Sequence, residues 1–374
     1  MLAILFNTLY VVLLLWYRHQ WRLNLHVPEI LYPGEELPRV SVIVPVRNES
    51  GNLPDFLSRL ASQEYPAGRI EWIFVDDHSE DDTVQLLSAY SAVPVKLIRL
   101  EPADGEGKKA ALEKGIRAAA GEWILTTDAD CILPFNWVHT LMNAARNSAA
   151  DMICGTVKVT SGGGFLHDFQ AMETAVLQLS GAASLQAGHP LLNTGASLAF
   201  RKASWEQVEG YSKHRHLASG DDTFLMLAFH QQQKGSVKPC TQPAAMAETR
   251  PHQDWTSVVR QRLRWNGKVK HYPLGYIHAV GLLVLSAAIS FLVLLFLSFF
   301  GDGSLFDLIL VFVLRFYAEY AILQEWEDRS RQKFSLFSIF CMSWLYPLFT
   351  VFSMVFRPFI RPGWKGRPVN KSAA

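Results

Sequence analysis

From Tyr276 to Phe300 the chain runs for 25 residues without an Asp, Glu, Lys or Arg. A helix needs about 20 apolar residues to cross a bilayer core, so this stretch is long enough. It constrains the fold strongly, because a helix apolar all round must be covered by lipid or by other apolar helices. Met1 to Trp16 is also uncharged, and the apolar runs Leu305 to Leu323 and Ser335 to Phe356 come later. Two of these runs carry a weakness. Arg315 and Glu319 stand about one helical turn apart in the third, and charges at mid-membrane cost about 2.5–3.5 kcal/mol each on insertion scales. Such a pair must face protein or lie near the interface. Pro347 in the last run marks a re-entrant or broken helix as the alternative to a span.

The first run lacks a basic leading region and a small-residue cleavage site, and Arg18 and Arg22 follow its apolar core. That is the charge order of an uncleaved anchor over residues 1–17 with the next domain cytosolic; a signal peptide is the alternative. The expected division is then a linker over 18–38, a soluble domain over 39–272, transmembrane helices over 273–358 and a basic tail over 359–374. The tail region holds Arg357, Arg361, Lys365, Arg367 and Lys371, which favours a cytosolic tail. One of the two weak runs is therefore expected not to cross fully. The net charge of +1 gives no whole-chain field for nucleic acid, and none is expected as a partner. Cys131, Cys154, Cys240 and Cys341 form no CxxC and read as reduced thiols.

In the soluble segment, strand-like and helix-like stretches alternate. "VSVIVPV" (Val40 to Val46) precedes a helical pattern carried by Leu53, Phe56, Leu57 and Leu60. "IEWIFVDD" precedes "DDTVQLLSAY", capped near Ser79 to Asp81. "VPVKLIRL" precedes "GKKAALEKGIRAAAG", and "EWILTTDAD" is a fourth strand. The alternation predicts an α/β fold with a parallel sheet covered by helices on both faces. Ligands of such sheets sit beyond the carboxyl ends of the strands. The polar ends "PVRNES", "DDHS" and "DAD" thus fall at one edge.

Period-two geometry puts Asp128 and Asp130 on the same side of an extended segment. Two such carboxylates suit Mg²⁺ or Mn²⁺, with water and phosphate oxygens completing the shell. A solvated acidic loop is the bland alternative. "DGEGKK" is not a P-loop, because Pro102 stands where the first Gly belongs and Lys109 replaces the Ser/Thr. His214 and His216, flanked by Lys213 and Arg215, read as a basic loop rather than metal ligands.

In order and spacing, "VSVIVPVRNES", "WIFVDDHSEDDT", "GKKAALEKGI" and "TTDAD" resemble the nucleotide-binding half of family 2 glycosyltransferases, which have the GT-A fold. "NTGASLAFRK" (Asn193 to Lys202) resembles that family's acceptor-side segment. "SGDDTFL" (Ser219 to Leu225) stands at its Glu-Asp or Asp-Asp pair, and "QRLRW" (Gln261 to Trp265) is the QxxRW motif of membrane-integrated members. The resemblance covers about Val40 to Trp265. His78, where the family has Gly, and Glu113, commonly Asn, depart from it.

The resemblance implies a mixed, mainly parallel GT-A sheet with transmembrane helices attached. It implies that Pro45, Arg47 and Glu49 line the base and ribose, and that Asp76 or Asp77 accepts hydrogen bonds from uracil. Lys108 or Lys109 approaches the diphosphate or its nucleoside end, and Asp128 and Asp130 hold the metal. Asp222 is the base candidate, with Asp221 beside it raising the pair's proton affinity; an acidic helix N-terminus is the alternative. Helical spacing puts Gln261, Arg264 and Trp265 near one face, where Arg clamps a diphosphate and Trp offers a flat surface. A basic helix binding lipid headgroups through Arg260, Arg262, Arg264, Lys268 and Lys270 is the other reading.

The expected activity is inverting, metal-dependent transfer from a nucleotide-sugar, a UDP-sugar, to a lipid or lipid-linked acceptor. The expected location is the plasma or inner membrane, with the catalytic domain cytosolic. Only three candidate spans follow that domain, too few to enclose a polymer channel unaided. A small processive polysaccharide synthase is the alternative, since QxxRW is shared. "GWKGRPV" (Gly363 to Val369) resembles the Trp-x-Gly-Arg segment of the lipid-glycosylating group. A catalytically silent membrane scaffold is a third reading.

Overall fold

The computed structural model describes residues 1–23, 37–160, 162–212, 220–233, 235–273, 275–301, 303–355, 363–364 and 367–368. Along the chain come α1 (Leu2–Leu23), β1 (Val40–Val46), α2 (Leu53–Leu60), β2 (Ile70–Asp76), α3 (Thr83–Ala89) and β3 (Val95–Arg99). Then follow α4 (Lys108–Ala118), β4 (Trp123–Thr126), β5 (Cys131–Ile132), α5 (Trp137–Ser148), β6 (Met152–Cys154) and β7 (Val157–Val159). Next are α6 (Phe165–Gln186), β8 (Leu198–Arg201), α7 (Lys202–Gln207), α8 (Asp221–Gln232), β9 (Val237–Pro239) and β10 (Ala247–Thr249). The chain continues through α9 (Trp255–Asn266), α10 (Tyr276–Phe300), α11 (Leu305–Ser330) and α12 (Leu336–Val355).

The residues group into two compact units. One is built on a seven-stranded sheet of order β3-β2-β1-β4-β8-β6-β9. β3, β2, β1 and β4 are parallel, β8 runs against both β4 and β6, and β9 is parallel to β6. The sheet is thus mixed and mainly parallel, as expected. β1 is buried at every position, which is what a β-branched run covered on both faces requires. Phe56 of α2 packs edge-on against Trp72 and Phe74 of β2. Gly115 seats α4 on the other side: a Cβ there would lie 2.6 Å from Ile43 Cγ2 and 3.0 Å from Val75 Cγ2. A small second sheet, β5-β10-β7, joins the segment after β4 to the end of this unit.

Register fixes the edge. Val46 pairs with Asp76, and Thr126 pairs with Ile43, so Asp128 two residues further on stands level with the end of β1. The acidic strand ends therefore share one edge, as the alternation predicts.

The other unit holds α1, α6 and α9–α12. Helix α1 continues past the expected anchor limit of 17 to Leu23. Helices α6 and α9, inside the expected 39–272 domain, group with the apolar helices instead. Residues 24–36 of the expected linker, the His214/His216 loop with Ser219, and most of the basic tail lie outside the described residues.

Among the described residues, α1, α10 and α12 are long and apolar enough to cross a membrane. Two such helices therefore follow the soluble segment, not three, because the charges of α11 disqualify it by composition. Yet α11 is an unbroken 26-residue helix. Arg315 and Glu319 are turned inward: Arg315 donates to Asn7 Oδ1 at 2.7 Å and to Glu319 Oε1 at 3.2 Å. The face of Leu305, Phe306, Ile309, Val313 and Tyr317 is exposed. Pro347 does not break α12, which stays helical from Leu336 to Val355. Arg18 and Arg22 at the end of α1 both bind Glu325 of α11.

Candidate active site

Strand β4 delivers Asp128, Ala129 and Asp130 to the open edge. The segment does not stay extended as expected: β4 ends at Thr126, and the Cys131 N–H donates to the Asp128 carbonyl at 3.1 Å to close a turn, with Ala129 buried, Asp130 exposed and Asp128 half-buried. Helix α4 begins opposite them. Its first residue, Lys108, places Nζ 2.5 Å from Asp128 Oδ1 and 3.9 Å from Asp221 Oδ2. Asp221 and Asp222 open α8 after Gly220, whose φ of 85° makes the tight entry. The loop before β8 closes the group. A Cβ on Gly195 would come within 3.2 Å of Asp221 Oδ2, a tight approach, and 3.5 Å of Lys108 Nζ, an ordinary contact. Thr126 Oγ1 donates to the Gly195 carbonyl at 2.7 Å, tying that loop to the end of β4.

The electrostatics follow from this geometry. Burial works against a charge on Lys108, but Asp128, Asp221 and Asp222 outweigh it and hold the ammonium well above the usual lysine range. Tyr211 is pushed well above the usual phenol range by burial first and then by Asp221, Asp222 and Glu113. Asp222 Oδ1 accepts from the Thr223 N–H at 2.6 Å, so the acidic helix N-terminus is also present. That use engages one oxygen of a half-buried carboxylate and does not exclude proton transfer.

The two lysines part company. Lys109 is buried, with its ammonium 5.6 Å from the centre of the Phe224 ring, whereas Lys108 faces the carboxylates. Among the strand-end residues several are turned inward. Pro45 lies buried within β1. The Arg47 guanidinium donates to the carbonyls of Asp77 at 2.6 Å and His78 at 2.9 Å, and meets Glu80 at 3.3 Å. Glu49 accepts from Asn52 at 2.8 Å. Asp77 accepts from the Gly107 N–H at 3.1 Å and contacts His78 Nδ1 at 3.2 Å, so it links the β2 loop to the start of α4. Asp76 accepts from the Ser79 N–H at 3.2 Å through Oδ1. Asp81 accepts from Ser50 and Thr83. A little burial raises its pKa, but these hydrogen bonds prevail and hold it down to about 2.

His78 explains its own departure from the family pattern. Its φ is 56°, the left-handed region that favours glycine. The contact with Asp77 accompanies the strained backbone.

Gln261, Arg264 and Trp265 stand on α9, in the unit of apolar helices. The helix is N-capped by Asp254, whose side chain accepts from the Ser257 N–H. Between them Arg262 is half-buried, 3.2 Å from Glu173 of α6 and 2.9 Å from the Tyr346 hydroxyl. Burial raises the Glu173 carboxyl more than Arg262 lowers it. The four cysteines are free, as expected.

The donor set suits a hard divalent ion in part. Asp128 already carries a cationic group at contact distance, and the oxygens available are carboxylate. Among the described residues no three His, Cys, Asp or Glu groups cluster as a full ligand set. Asp128 and Asp130 would thus hold such an ion only with ligands from a substrate and water. Sequence reasoning did not single out Gly195 individually, nor Tyr211, and it did not foresee the Lys108 bridge. Gly195 lay within a quoted motif; nothing in the spacing of "GYSK" signals Tyr211.

Residues 41–207 match the family model described as glycosyl transferase family 2. The glycosyltransferase AglE of Haloferax volcanii is 32% identical over 124 residues, 33% of this chain and 41% of that protein. The probable glycosyltransferase YdaM of Bacillus subtilis is 26% identical over 255 residues, 67% of this chain and 59% of its own length. An undecaprenyl-phosphate 4-deoxy-4-formamido-L-arabinose transferase of Aeromonas hydrophila is 34% identical over 112 residues, 29% of this chain and 34% of that protein. In each case less than two thirds of the relative is spanned. The solved structure of the mannosyltransferase PcManGT from Pyrobaculum calidifontis, in complex with GDP-Man and Mn2+, superposes with a TM-score of 0.64 at 19% identity. That superposition covers 96% of this chain and 98% of that one. At such identity it speaks for the fold alone. Residues 41–207 are thus similar to the family 2 glycosyl transferases over a little less than half of the chain, and the mixed, mainly parallel sheet has a GT-A-like arrangement.

Proposed function

We propose that the protein is a membrane-bound inverting glycosyltransferase that moves a sugar from a nucleotide-sugar, a UDP-sugar, to a lipid or lipid-linked hydroxyl. The observation that carries this reading is the meeting of Lys108, Asp128 and Asp221 within 4 Å of one ammonium, since three separate motifs supply them. The nucleotide-sugar class is supported by the family match and by the ligand named for the mannosyltransferase; the undecaprenyl-phosphate relatives support a lipid acceptor.

In this reading the nucleoside lies over the ends of β1 and β2. Asp76 reads the base, while Arg47 and Asp77 hold the loop that shapes the pocket. Asp128 and Asp130 would hold Mg²⁺ or Mn²⁺, which when bound neutralises charge on the diphosphate. The acceptor oxygen attacks the anomeric carbon as the bond to the diphosphate breaks. Asp222 takes the hydroxyl proton, and inversion follows from a single displacement. Gln261, Arg264 and Trp265 carry the diphosphate-clamping and acceptor roles that their motif implies. The apolar helices α1 and α10 anchor the chain, and Arg18 and Arg22 put the transferase domain on the cytosolic side.

The test is purified full-length protein with Mn²⁺ and a panel of nucleotide-sugars, scored for nucleotide release with and without membrane lipid extract. Release from one donor, stimulated by lipid, is expected. No release from any donor under either condition sinks the reading.

A further inference from the structure

Lys108 is the first residue of α4, and its side chain is only 20% exposed. It lies between a carboxylate from β4 and one from α8, elements that carry separate motifs. Gly195 lies against the same group: a Cβ there would crowd Asp221 Oδ2 at 3.2 Å and meet the ammonium at 3.5 Å, an ordinary contact distance. The carboxylate it touches is one of the two read above as holding a divalent ion. A lysine ammonium at 2.5 Å and a metal ion cannot both occupy one carboxylate oxygen's approach without strong repulsion.

We propose that Lys108 is a cationic placeholder: it occupies Asp128 in the donor-free protein and passes to the donor diphosphate when metal and nucleotide arrive together. This rests on the nucleotide-sugar reading given above. Three consequences follow from the geometry. Metal alone competes with Lys108 and binds weakly. A diphosphate offers the ammonium a replacement anion, which frees Asp128 for the ion. Between turnovers Lys108 also holds β4 and the start of α8 in place, so the site does not spring open by repulsion between Asp128 and Asp221. Lys108 is thus a donor-binding residue whose partner changes with the ligand.

The experiment uses the full chain in detergent, with free Mn²⁺ followed by electron paramagnetic resonance. Mn²⁺ is titrated alone and with UDP or GDP into the parent, Lys108→Met and Lys108→Gln. Removing a neighbouring cation is expected to tighten Mn²⁺ binding without nucleotide by about tenfold or more, the low end of such charge effects. The same variants should retain Mn²⁺ with nucleotide less well than the parent. Adding Asp128→Asn to Lys108→Met should return Mn²⁺ binding to the weak parental level. A merely structural lysine would weaken both measurements together. If both variants bind Mn²⁺ alone no better than the parent, the proposal is overturned, even where the parent binds Mn²⁺ with nucleotide. If neither nucleotide improves Mn²⁺ retention by the parent, the donor reading fails and the handover with it. Tightening of Mn²⁺ alone would then support only the occupation of Asp128.

Discussion

Arg315 of α11 donates from Nη1 to Asn7 Oδ1 of α1 at 2.7 Å, so a charged helix is fastened to the N-terminal one by a buried hydrogen bond. Tyr10 of α1 completes the grip, its ring 4.6 Å from the guanidinium and its hydroxyl 3.3 Å from Glu319. Removing one partner of a buried pair leaves the other charge uncompensated and costs about 3–5 kcal/mol. Arg315→Ala should therefore lower the thermal stability of the detergent-solubilised protein markedly. Arg315→Leu with Glu319→Leu should be milder than the single change, because no lone charge remains. A double variant as unstable as Arg315→Ala would refute the pairing argument.

Asp222→Asn should keep nucleotide binding and lose transfer by about 10²–10⁴-fold, the usual worth of a general base. Equilibrium binding and single-turnover rates separate the two. If binding collapses while the residual rate constant is unchanged, Asp222 serves the helix N-terminus and not the proton.

Asp130→Asn should cut turnover by orders of magnitude with the fold intact by circular dichroism, and chelation should abolish activity in the parent. Full activity in excess EDTA would falsify the metal assignment of Asp128 and Asp130.

Arg264→Lys preserves charge but loses the planar fork. A diphosphate clamp predicts severe loss of turnover, whereas a lipid-headgroup contact predicts almost none. Vesicle binding of the same variant, measured with anionic lipid, tells which role has changed.

Topology is tested on the loops. If α10 and α11 form a return pair, Ser304→Cys should react with an impermeant reagent from the side opposite the transferase domain. Ser335→Cys should react from the transferase side. Helix α12 is held at three levels, Ser338 to Asp168, Tyr346 to Arg262 and Ser353 to Asn266, all on α6 and α9. A helix tethered along its length to α6 and α9, neither of which is among the helices long and apolar enough to span, is expected not to cross fully, which keeps the tail cytosolic. Labelling of Ser372→Cys from the outer side would show otherwise.

The parallel half of the sheet was legible because each strand is a β-branched run and each following helix repeats its apolar residues at 3.6. The small strands β5 to β10 were not, since two to four residues carry no period. Helix α6 also escaped, as its Ala, Ser and Gly residues blur any apolar stripe. The site carboxylates could be read from strand ends alone. What could not be read is which charged side chains turn inward. Arg47 and Asp77 look like ligand contacts in the sequence, yet backbone carbonyls and an N–H of neighbouring loops engage them. Adjacent Lys108 and Lys109 point to different surroundings, a distinction fixed only when α4 is seated.

That seat has a bearing on how variants of this protein are interpreted. Gly115 lies two helical turns from Lys108, about 10 Å along α4, and a Cβ added there would meet Ile43 and Val75 first. A methyl group there must either push the β1 side chain aside or lift the helix, and a lifted helix carries the ammonium off its carboxylates. In a genetic screen Gly115 would score among the inactive alleles while binding no substrate. The lesion would be one of alignment, and a compensating Ile43→Val or Ile43→Ala change in the sheet would be the place to look for suppressors.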